Sequence, residues 1–231
     1  MRKACMQSDA KLAKELYNKQ FEQYSKKQAE CAVVQDVKRI AYDLAGNITE
    51  KTVLFAGCGD GLECLPALEK GANVIGIDVS EKAIELAKKN CPNANFFVMD
   101  FEKLALQDKS ADILISFLAV MYSKDLTLVL NEFKRVLKEQ GFIILVVPHP
   151  VRKMVKYNNG NYFVKGKQYE NWKGIERFNY YRLFEDYFEA FISCQLKVTQ
   201  LLEPKPIKEA EETPDSEINY PHFLVFKLTQ D

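Results

Sequence analysis

Apolar residues along this chain follow two different spacings, and the switch between them outlines an α/β fold. Leu12, Leu16, Phe21 and Tyr24 recur at helical intervals behind Ser8 or Asp9, either of which can cap a first turn. Val33, Val37, Ile40, Ala41 and Leu44 repeat that period and stop at Gly46. Short continuous apolar runs then predict strands over 52–56, 73–77, 94–99, 112–117 and 142–147. Helical patterns fill the gaps at 60–70, 80–90 and 126–137, with stops at Gly71 and Gly141 and a capping Ser80. Strands that are apolar on both faces belong to a parallel sheet covered on both sides. A helix carrying Leu183, Phe184, Tyr187, Phe188 and Phe191 precedes two more strands at 195–202 and 223–228.

The pattern breaks after Pro148-His149-Pro150. Residues 151–180 are basic and aromatic with poor periodicity, which predicts an inserted lid or short antiparallel strands. The stretch 203–220 is rich in proline and acids and reads as a solvated loop. With 231 residues, 47% of them hydrophobic, the chain can bury one large core, and no repeat or linker suggests a second domain. We divide this single domain into a helical cap over 1–47, a cofactor-binding core over 48–150, a substrate lid over 151–180 and a C-terminal helix with strands over 181–231.

Lys+Arg and Asp+Glu both number 32, a balance that disfavours a dedicated nucleic-acid binder. No run of 18 apolar residues suggests a membrane span, and MRKACMQSDAKLAKEL lacks a signal-peptide core. The six cysteines form no C-x-x-C pair, and Cys58 sits inside a tight turn, so reduced thiols in a cytoplasmic protein are expected, with no metal-site spacing.

The chemistry concentrates in Val53-Leu54-Phe55-Ala56-Gly57-Cys58-Gly59-Asp60-Gly61. A strand ends in three glycines at alternate positions, a helix follows, and the next strand ends in Asp78. Glycine permits tight turning and close approach of a ligand, and a carboxylate at the next strand end can accept both hydroxyls of a ribose. The dinucleotide pattern needs its third glycine one residue later, and the P-loop pattern needs a Lys that does not follow Gly61.

What remains, G-x-G-x-G, resembles the loop of the class I (Rossmann-like) S-adenosylmethionine-dependent methyltransferases. VIGIDVSEKAIELAKKN, FFVMDF, ADILISF and FKRVLKEQGFIILVV are similar, in order, to that family's following blocks. The resemblance covers residues 50–150 closely. It implies a three-layer sandwich around a mostly parallel seven-stranded sheet whose last strand is antiparallel, with two extra N-terminal helices and an inserted lid after strand five.

The resemblance also implies roles. Gly57, Cys58, Gly59, Asp60 and Gly61 would form the cofactor loop, and Asp78 would hold the ribose. Asp100 and the Phe101 N–H would meet adenine between Val79 and Leu118. The Phe117 carbonyl would face the cofactor's ammonium, and Tyr17 and Tyr24 would cap the site. One departure stands out, because the family's usual acid two residues before the first glycine is replaced by Phe55; Asp60 or an N-terminal residue would have to compensate. His149 is the candidate base, since imidazole titrates near neutrality, whereas His222 reads as structural.

Methyl transfer needs little acid–base machinery, so the acceptor is weakly encoded. The Ser116–Met121 segment carries neither the [DNS]-P-P-[FYW] of adenine amino-methylating enzymes nor the Pro-Cys of cytosine enzymes. The expected function is therefore methylation of a small-molecule O, N or C nucleophile with S-adenosylmethionine, leaving S-adenosylhomocysteine. The alternatives are an RNA or protein methyltransferase, or a catalytically silent cofactor-binding scaffold. The sequence fits a monomer and a homodimer equally.

Overall fold

A computed structural model describes residues 9–206 and 219–230. Ser8, Cys5 and most of the acidic 203–220 stretch lie outside these residues. Seven strands form the main sheet: β1 (Thr52–Ala56), β2 (Asn73–Asp78), β3 (Asn95–Val98), β4 (Ala111–Phe117), β5 (Leu137–Pro148), β8 (Leu196–Leu202) and β9 (Phe223–Gln230). Their order is β3-β2-β1-β4-β5-β9-β8. β9 runs antiparallel between β5 and β8, while β3 through β5 pair in parallel. The sequence-based expectation of a mostly parallel sheet with an antiparallel last strand holds.

The period of two along each strand divides the core. Val53, Phe55, Ile113, Ile115, Ile144 and Val146 face a layer formed with α2 (Ala32–Ala45), α3 (Leu65–Glu69) and α4 (Glu81–Asn90). Leu54, Leu114, Ile143, Leu145 and Val147 face the opposite layer, built with α5 (Leu126–Val136) and α7 (Phe184–Ser193). α1 (Asp9–Ala29) lies across the first layer. The segment after β5 forms α6 (Pro150–Tyr157) and then a separate hairpin, β6 (Gly166–Trp172) with β7 (Ile175–Tyr181).

Two elements differ from their sequence patterns. The helix expected over 60–70 begins as a 3-10 turn at Leu62–Cys64 and becomes α-helical only at Leu65. Pro66 has no N–H to continue the earlier turn, so the helix restarts around it. The helix expected to run to Gly141 stops at Val136, and the chain is extended from Leu137. The Gln230 side-chain amide reaches the Lys134, Leu137 and Lys138 carbonyls at 3.1–3.5 Å, giving the end of α5 a partner distant in sequence.

Gly76 in β2 shows how tightly the first layer packs. A Cβ there would lie 2.4 Å from the Phe96 ring and 3.0 Å from Cys58 Sγ. Gly76→Ala is therefore expected to cost about 1–3 kcal/mol through overpacking, read as a lower urea midpoint with an unchanged slope.

Candidate functional site

The carboxyl ends of β1, β2 and β4 open into a cleft of about 840 Å³, counting the part continuous with solvent. Its floor is the glycine loop. The Gly57 and Cys58 N–H groups both donate to the Ile77 carbonyl, at 2.9 and 2.8 Å, which folds the loop back onto β2. Gly57 has φ +80°, and a Cβ on it would sit 2.3 Å from the Ala119 Cβ, so the loop is pressed against the chain leaving β4.

Asp78 is oriented before any ligand arrives. One carboxylate oxygen accepts the Gly59 N–H and the other the Ser80 N–H, both at 3.0 Å. Each oxygen keeps a lone pair for a further donor. Burial pushes the Asp78 pKa up, while these backbone N–H groups pull it down. Ser80 caps α4 by accepting the Ala83 N–H at 3.1 Å and donates its hydroxyl to Asn18 of α1 at 2.6 Å. Asp60 ties the loop to the same helix, accepting from the Ser25 hydroxyl and, at 3.2 Å, from the Leu62 N–H.

α1 thus closes the cleft from above. Tyr17, Phe21 and Tyr24, spaced for one helix face, line it, and the Phe21 ring lies 3.6 Å from the Cβ position of Gly59. Asp100 stands at the end of β3, where its carboxylate accepts the Glu102 N–H at 2.9 Å in a tight turn. Leu118 leaves β4 with φ +50°, a strained conformation for a branched residue, held by its N–H bond to the Val146 carbonyl at 2.9 Å.

Twelve of the thirteen cofactor-site residues expected from the sequence line this one cleft. The exception is Gly61, which lies behind the loop. A Cβ there would meet Ala87 at 3.0 Å and Phe96 at 3.1 Å, so its lack of a side chain serves the approach of α4. Glu63, Glu102, Tyr122 and Ser123 line the cleft without having been singled out. Tyr122 gave a readable signal, since it closely follows the end of a strand that the motif had already placed at the site. Glu63 gave none.

The cleft is lined by five carboxylates and by no Lys or Arg, a composition that suits a cationic ligand. Phe55 is fully buried against Tyr42 and contributes nothing polar. Glu63 stands near that end of the cleft, its carboxylate 3.5 Å from Lys38 Nζ. Burial pushes its pKa up to about 7, against the pull of Lys38.

His149 does not line the cleft, which corrects its expected role as base. It is the N-cap of α6 and 1% exposed, its Nδ1 accepting the Val151 N–H at 3.0 Å and its Nε2 facing Glu203 at 2.7 Å. A ring nitrogen that accepts from an amide leaves the other to carry the proton, so no lone pair remains to take one from a substrate. Burial lowers its pKa further. Three lysines of the lid face carboxylates of the chain itself: Lys153 pairs with Glu170, Lys165 with Asp186 and Lys167 with Asp9.

Comparison with known proteins places this arrangement. Residues 54–145 match the family described as a methyltransferase domain. A malonyl-[acyl-carrier protein] O-methyltransferase of Hamiltonella defensa is 34% identical over 101 residues, 44% of this chain and 39% of that protein. An uncharacterized protein of Haemophilus influenzae is 28% identical over 80% of this chain and 83% of its own length. The crystal structure of a putative S-adenosylmethionine-dependent methyltransferase from Listeria monocytogenes superposes with a TM-score of 0.72 at 25% identity, covering 84% of this chain and 96% of that one. This chain therefore spans about two fifths of the first relative and nearly all of the last.

The capping role of His149 is open to test by stability alone. His149→Ala should cost about 1 kcal/mol through loss of the α6 cap, and His149→Asn, which can cap equally well, should recover most of it. Urea unfolding of both variants separates these outcomes.

Proposed function

We propose that the chain is a class I S-adenosylmethionine-dependent methyltransferase and that it methylates a small-molecule O, N or C nucleophile in the cleft beneath α1. When bound, S-adenosylmethionine supplies a methyl group on a positively charged sulfur that is already a good leaving group. The observation that carries the reading is the cleft itself: it is acid-lined, floored by a glycine loop that has no room for a Cβ at Gly57, and roofed by a helix.

The residues of this chain then bind and orient. Asp78 accepts from the ribose hydroxyls with the lone pairs that the Gly59 and Ser80 amides leave open. Asp100 and the Phe101 N–H serve the adenine edge, with Val79 and Leu118 as its apolar walls. Asp60 is largely spent on fastening α1, so Glu63 takes the ammonium that Phe55 cannot serve, and the Phe117 carbonyl adds a second acceptor. Tyr17 and Tyr24 exclude water. With the reactants held in line, proximity supplies much of the acceleration and no dedicated base is required.

A small acceptor is supported over RNA by the commitment of Lys153, Lys165 and Lys167 to carboxylates of the chain itself. No helix among the described residues is long and apolar enough to cross a membrane. The five described cysteines are buried and form no disulfide, which suits the reducing cytoplasm.

Calorimetric titration with S-adenosylmethionine and S-adenosylhomocysteine tests the reading. Micromolar binding of either is expected, and absence of both would leave the scaffold alternative. Asp78→Asn should weaken binding about a hundredfold by removing charge-assisted hydrogen bonds while leaving the fold intact.

Binding should also depend on pH. Glu63, with its pKa near 7, loses its charge as pH falls from 8 to 6, so affinity should fall over that window. Glu63→Gln should bind more weakly at pH 8 and show a flatter profile.

A further inference from the structure

A narrow recess, about 270 Å³ counting the part continuous with solvent, adjoins the cleft and shares Ala13, Tyr17, Tyr24 and Tyr122 with it. Its far wall is Ile175, Glu176, Arg177 and Phe178 of β7, with the Glu176 side chain exposed. Tyr122 is therefore the partition between the cleft and a buried arginine. The Tyr122 side chain is 8% exposed and wedged edge-on between Tyr17 and Phe178, at ring distances of 5.3 and 5.5 Å. Its hydroxyl faces Tyr17 and Arg177 without a well-formed hydrogen bond to either.

Behind it, among the described residues, buried basic side chains outnumber buried carboxylates. Arg177, Lys153 and Arg152 are each at least nine-tenths buried, and among the described residues the single buried carboxylate is Glu170. Arg177 donates to that carboxylate through Nε and Nη2 at 3.2 and 3.1 Å, and Lys153 shares it. Asn179 lies two residues along β7 from Arg177, so strand alternation puts both side chains on one face, and neither end of its amide has a partner. Arg152 Nε is also unpartnered. Buried donors without acceptors beside surplus positive charge are costly unless an anion completes them.

We propose that this end of the cleft binds an anionic group on the methyl acceptor, a carboxylate or a phosphate, received by the Tyr122 hydroxyl and the field of Arg177 and Lys153. The proposal rests on the reading of the cleft as a methyltransferase site, and it makes the substrate a small acid. The acid-lined walls of the cleft then serve the cofactor, and the cations behind Tyr122 serve the acceptor.

The test uses the full-length protein saturated with S-adenosylhomocysteine, with benzoate and inorganic phosphate as probes and benzylamine as the contrast, followed by thermal shift and calorimetry. Saturable stabilisation by at least one of the anions and none by the amine is expected, with affinity about tenfold weaker in Tyr122→Phe and abolished in Asn179→Asp. Without ligand, Tyr122→Phe should melt higher than the parent, because it removes an unpaired buried hydroxyl. Equal anion binding in parent and variants, preference for benzylamine, no response to either anion, or a lower melting point for ligand-free Tyr122→Phe would each overturn the proposal. Failure of S-adenosylhomocysteine to bind at all would count instead against the methyltransferase reading, and the anion titrations, repeated without it, would still decide this site.

Discussion

The structure depends on one constraint, the return of the chain at the end of β1. Within a few residues the backbone must leave the central strand, clear the chain leaving β4, hydrogen-bond to the end of β2 and start the next helix. Only glycine meets the 2.3 Å approach of the Gly57 Cβ position to Ala119 at a φ of +80°. The paired bonds from Gly57 and Cys58 to Ile77 then bring the loop beside Asp78, and the Gly59 amide fixes that carboxylate. Loop and carboxylate are thus set by the same few backbone hydrogen bonds, so the binding geometry exists before any ligand enters.

α1 is held over this floor by contacts of a different kind. Its ion pairs with α4, Lys14 to Glu81 and Glu22 to Lys82, are substantially exposed and contribute little. Burial of Ala13, Phe21 and Tyr24 contributes more. The helix departs from helical geometry at Gln20, whose side chain donates to the Glu176 carbonyl of the hairpin at 2.5 Å. Such an element opens at lower cost than the sheet beneath it, which suits a roof that must admit ligands and release them.

The lid is stabilised at a point of tension. Glu170 holds Lys153 and Arg177 out of water while Trp172, Tyr157 and Tyr181 stack against the cations at 4.8–5.2 Å. Removing one member of such a cluster leaves an uncompensated buried charge, a loss of about 3–5 kcal/mol. Burial draws the Lys153 pKa down to about 7 while its neighbours hold Glu170 near 2, so the carboxylate is the fixed charge of the group. The same cluster that closes the hairpin supplies the field at the far end of the cleft.

By itself the sequence determined the sheet, the glycine loop, the carboxylates at the ends of β2 and β3, and the helical face bearing Tyr17 and Tyr24. These are local: apolar period, turn residues and strand ends fix them within a few residues of chain. It misled at His149, because nothing local reveals that both ring nitrogens are taken, one by an amide two residues on and the other by Glu203 at the far end of the sheet. It was silent on Glu63, on Tyr122 as a partition and on the excess of buried cations, and it misplaced the end of α5, which Gln230 holds from the other end of the chain. Those features arise where segments distant in sequence meet, and burial and charge balance at such meetings are properties only the tertiary structure decides.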